Sequence, residues 1–66
     1  MNDLIEYYGV TFSHNKEEIA YRRMMTLPAV DTGIIFRGTM YMVRRVVIKF
    51  PDIQGEGFLM ATVYLK

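Results

Sequence analysis

Met40-Tyr41-Met42-Val43-Arg44-Arg45-Val46-Val47-Ile48-Lys49-Phe50 is the stretch whose reading decides the fold. It holds no proline and no glycine and is rich in β-branched and aromatic side chains, so it reads as one long strand. Tyr41 and Val43 share a face, and Val46, Ile48 and Phe50 share a face, but the two sets differ in parity. Side chains alternate strictly along a strand. A change of parity in mid-strand therefore calls for one extra residue, a β-bulge. It falls at Arg44-Arg45, and a bulge there bends the strand around a small barrel.

Working outward, Gly38-Thr39 reads as a tight turn and Ile34-Ile35-Phe36-Arg37 as a short strand before it. Pro28 to Gly33 is a loop punctuated by proline, aspartate and glycine. On the other side, Pro51 to Gly57 is a loop and Phe58 to Leu65 is the last strand. Leu59, Ala61, Val63 and Leu65 fall on one face of it, and Phe58, Met60 and Tyr64 on the other. Two apolar faces fit a strand set against the core on one side and against a second subunit on the other. Near the start, Asp3 to Ser13 alternates, with Leu4, Tyr8, Val10 and Phe12 opposed to Tyr7, Thr11 and Ser13. His14-Asn15-Lys16 is a polar turn.

Residues 17–27 read two ways. As a strand, Ile19, Tyr21, Met25 and Leu27 line one face. As a helix, Asn15 caps the N-terminus, Glu18 completes a capping box, Ala20, Met24 and Leu27 form a stripe, and Pro28 ends it. Lys, Glu, Ala, Arg and Met are all good helix formers.

Pro28, Gly33, Gly38, Tyr41, Val43 and Val46 stand in a P…G…G..Y.V..V run that resembles short phage and prophage proteins of unassigned role. The resemblance spans Leu27 to Val47 and departs from the usual pattern at Thr32-Gly33, where a glycine followed by an acid is expected. It carries no catalytic residue. It implies a small, strongly bent β-barrel in which the segment before the proline is extended, and so favours the strand reading of residues 17–27. The expectation is a single all-β domain over residues 1–66, a five-stranded, strongly bent SH3-like barrel. The alternative is an α+β fold with a short helix at residues 16–26.

Composition bounds the function. Of 66 residues, 52% are apolar or aromatic, 23% are charged, and the net charge is +1. A chain this short has no room for a second domain or a doubly wound nucleotide fold. With no cysteine, neither a disulfide framework nor a thiolate metal site can form. Stability must come from apolar burial, and a domain of this size buries only about 60% of its unfolded surface. The apolar side chains exceed what one small core conceals, which points to self-association or a docked partner. The longest wholly apolar runs are three residues, as at Val46-Val47-Ile48, against the ~18 that a spanning helix needs. Asp3 and Glu6 stand where a leader would be basic, and the expected setting is cytoplasmic, in the host if phage-encoded.

Little in the sequence carries chemistry. Ser13 and His14 are neighbours and point to opposite sides of a strand end, so no nucleophile–base pair follows. One histidine and scattered acids make no metal cluster, and Gly55-Glu56-Gly57 lacks the strand–loop–helix context of a phosphate cradle. No cofactor and no catalytic residue is expected. The arginines remain, at Arg22, Arg23, Arg37, Arg44 and Arg45, together with six methionines suited to adaptable surfaces. Phe36, Arg37, Tyr41, Arg44, Arg45 and Tyr64 are the candidate binding residues. The primary expectation is a non-enzymatic protein-binding module, homo-oligomeric, a phage or mobile-element accessory that modulates a host protein or defence system. The alternative is a small-barrel binder of nucleic acid or nucleotide through arginines and aromatics.

Overall fold

A computed structural model describes residues 7–50 and 58–66. Five strands follow in order: β1 (Tyr7–His14), β2 (Glu17–Met24), β3 (Gly33–Phe36), β4 (Thr39–Lys49) and β5 (Phe58–Leu65). The described residues contain no helix, so the α+β alternative with a helix at residues 16–26 is overturned. Between Glu17 and Met24 every residue except Ile19 has a cross-strand partner on β1. That pairing overrides the helical propensity of the segment, which is a weak prior on its own. The Pro51–Gly57 loop and the first residues of the expected N-terminal strand, Leu4 among them, lie outside the described residues.

The strand order is β2-β1-β5-β4-β3. Chain neighbours β1–β2, β3–β4 and β4–β5 pair antiparallel, whereas β1 and β5 run parallel from Tyr7↔Phe58 to His14↔Leu65. The sheet curls into a half-barrel and leaves β2 and β3 as unpaired edges.

Both hairpin turns use two consecutive residues of positive φ, Asn15 (52°) with Lys16 (68°) and Arg37 (50°) with Gly38 (82°). Such turns match the right-handed twist of the strands they join. The second turn therefore sits one residue earlier than the sequence suggests. Arg37 leaves the strand for the turn, and Thr39 enters β4 opposite Phe36. At the other end of β3 the left-handed residue is Asp31 (φ 76°), not Gly33. Asp31 N–H donates to Val43 O at 2.8 Å, and Val43 N–H donates to Thr32 O at 2.9 Å, so this loop is stitched to β4.

The expected bulge is present. Val43 pairs with Leu65 and Arg45 with Tyr64, leaving Arg44 as the extra residue. Tyr41, Val43 and Val46 consequently all face the core. A second irregularity interrupts the β1–β2 ladder: Phe12 pairs with Ala20 and Ser13 with Glu18, skipping Ile19. This separates Ile19 from Tyr21, which a regular strand would hold on one face. Ile19 packs against the core and Tyr21 is exposed.

The core is Val10, Phe12, Val43, Ala61, Val63 and Leu65, with Leu59 also buried. The four inward residues of β5 are those its alternation marks. Each fully buried aliphatic side chain contributes roughly 1.5–3 kcal/mol. Ile48 and Phe50 keep the parity of Val46 but are exposed, so the inward surface of β4 ends near Val46. Among the described residues no helix is long and apolar enough to cross a membrane.

Candidate functional site

The half-barrel has a seam between its free edges, and a cleft of about 820 Å³ lies along it. β2 lines one side with Glu18, Ile19 and Arg22. Phe36, Arg37 and Tyr41 line the other. Aromatic contacts hold that second side in place. Phe36 meets Phe12 edge-on at 5.2 Å between centroids, and Tyr41 meets His14 at 4.9 Å. Such pairs contribute about 0.5–1.5 kcal/mol each beyond their burial. His14 is thus the last strand residue, turned inward against Tyr41, while Ser13 faces outward.

The two edges differ in how they are guarded. A bare strand edge invites another strand, and charged side chains are the usual deterrent. β2 carries Glu17, Glu18, Arg22 and Arg23, and the Arg22 guanidinium donates to Tyr21 O at 2.8 Å. β3 reads Gly33-Ile34-Ile35-Phe36 and carries no charge. On its outer face Ile35 (67% exposed) pairs with Met40 (63% exposed) on β4, and Gly33 pairs with Met42. A Cβ at Gly33 would lie 3.5 Å from Met40 Sδ and 3.8 Å from Met42 Sδ, so the methionines lean over the glycine.

Arg44, Arg45 and Tyr64 lie elsewhere, around a depression of about 410 Å³ that Ser13, Asn15, Lys16 and Lys66 also line. Ser13 and Arg45 are the partners of Tyr64 on either side, so the three form a row across β1, β5 and β4. The Arg45 guanidinium stacks on the Tyr64 ring, 4.6 Å from its centroid. Both arginines are exposed, as the bulge requires.

The six candidate residues therefore divide into two places: Phe36, Arg37 and Tyr41 at the seam, and Arg44, Arg45 and Tyr64 at the depression. Sequence reasoning missed the β2 contribution to the seam and the two lysines of the depression. The parallel β1–β5 pairing brings the latter in, and no local pattern announces it. The outer face of β5 is also less bare than its alternation implies. Tyr21 OH and Met60 Sδ both lie over Gly9, and Arg45 covers Tyr64.

Seven apolar residues are buried among the described residues, and ten large ones are exposed. The fold is a small all-β half-barrel with two recesses. No protein-family model matches the chain, and no curated protein or solved structure matches it either.

Proposed function

We propose that the chain is a non-enzymatic protein-binding module that works as a homo-oligomer. The observation that carries this is the unguarded edge strand β3, free of charge and flanked outside by Ile35, Met40 and Met42. Pairing β3 with a second copy satisfies its free backbone groups and covers those side chains in one step. The contrast with β2 selects the edge, because four charged residues discourage the same pairing there.

The module acts by occluding or bridging a partner protein. The seam cleft, with an apolar wall and Arg22, Arg37 and Glu18 around it, is the surface offered to that partner. The resemblance of the Pro28–Val46 run supports a cytoplasmic phage or mobile-element accessory that modulates a host protein or defence system.

The test is an Ile35→Lys/Met40→Lys variant. Both positions are exposed, so the fold is retained. The variant is expected to sediment as a single chain where the parent sediments as a multiple. An unchanged sedimentation profile would rule β3 out as the association edge.

A further inference from the structure

The depression beside the Arg44 bulge plays no part in that reading. We propose that it is a phosphate-binding site, which takes the phosphoryl group of a nucleotide or of a nucleic-acid strand.

Four cations line it: Lys16, Arg44, Arg45 and Lys66. They come from three separate segments, the β1–β2 turn, the β4 bulge and the end of β5, and meet only because these strands are neighbours. No aspartate or glutamate lines the depression, and none of the four is paired with one among the described residues. Like charges gathered this way repel each other, and a bound phosphate anion relieves that repulsion.

The arrangement also suits phosphate in detail. In a regular strand that kept the parity of Tyr41 and Val43, Arg45 would point into the core. The bulge turns both Arg44 and Arg45 outward. Stacking on Tyr64 occupies the face of the Arg45 guanidinium and leaves its rim of N–H donors free, which is the edge that grips phosphate oxygens bidentately. The Ser13 hydroxyl and the Asn15 amide supply neutral donors at the same place.

The charge of the strands agrees. The described residues hold eight Lys and Arg against three carboxylates, Glu17, Glu18 and Asp31, an excess of five. The near-neutral total arises because Asp3, Glu6, Asp52 and Glu56 lie in residues 1–6 and 51–57.

The experiment measures binding of a labelled oligo-dT by anisotropy and of inorganic pyrophosphate by calorimetry, both at about 50 mM salt. A glutamate-rich peptide serves as the non-phosphate anion. At least one phosphate probe is expected to bind. Arg44→Gln/Arg45→Gln should weaken it at least tenfold, and Arg37→Gln, at the seam, should not. Lys16→Gln/Lys66→Gln provides a second variant on different segments and should weaken it likewise.

For the oligonucleotide, four contacts give a slope of log K against log salt of about −3, which the arginine pair should reduce by about 1.4. Binding of oligo-dT alone assigns the phosphate to a strand, and equal binding of pyrophosphate assigns it to a free phosphoryl group. Failure of both phosphate probes would overturn the proposal. Unchanged binding in both double variants, or equal binding of the glutamate peptide, would do the same.

Discussion

Val63→Ala removes two methyl groups from the centre of the core. Val63 is wholly buried on β5, between Phe12 of β1 and Val46 of β4. Each deleted methyl costs about 0.5–1.5 kcal/mol in a site that collapses only partly, so the pair costs about 1–3 kcal/mol. A chain of 66 residues has roughly 3–10 kcal/mol of stability in all. The loss is therefore a large fraction of the total. It lowers the thermal midpoint by about 4–24 °C, at roughly 4–8 °C per kcal/mol for a small domain. The control is Val47→Ala, which makes the same chemical change on the outer face of β4. Val47 is 43% exposed, so its loss should stay under about 1 kcal/mol. Without the bulge, the parity of Tyr41 and Val43 would carry on to Val47 and place it inside. Urea unfolding followed by circular dichroism, at one protein concentration for all variants, reads both values. Equal losses at Val63 and Val47 would refute the placement of the core and of the bulge together.

Three further outcomes follow from local geometry. Gly9→Ala puts a Cβ against Tyr21 OH and 3.1 Å from Met60 Sδ. It should cost about 1 kcal/mol by overpacking, and adding Tyr21→Ala should recover most of that, as read by urea midpoints. Lys16 holds a φ of 68° that glycine adopts with less strain. Lys16→Gly should raise stability by about 0.5–1 kcal/mol in a thermal scan while weakening phosphate-probe binding. Phe36→Ala breaks the edge-on contact with Phe12 and should cost about 2–3 kcal/mol. It should also speed amide exchange across β3 more than across β1.

The parts of the fold legible in the sequence are those written as local alternation. β5 shows its inner face plainly because it is regular and central. β4 shows its bulge because a single extra residue inverts every later side chain. β2 was ambiguous for a physical reason. It is an edge strand, half in water, and the irregularity at Ile19 breaks its alternation, so helix-forming residues can sit there at little cost. The shift of the β3–β4 turn onto Arg37-Gly38 follows from twist, which asks for positive φ at two positions, and only one of them is glycine. The sites were harder to read. Phe36, Arg37 and Tyr41 are close in sequence and remain together at the seam. Arg44 and Arg45 are as close to Tyr41, yet the bulge and the barrel curvature send them to another surface. Lys16 and Lys66, fifty residues apart, join them there through a parallel pairing that leaves no local trace.

Light scattering coupled to size-exclusion chromatography, run from low to high micromolar protein, tests the central claim most directly. Exposed apolar side chains on an uncharged strand edge predict a mass that is a whole multiple of 7.7 kDa and that falls only on dilution. A mass of one chain at every concentration would contradict it.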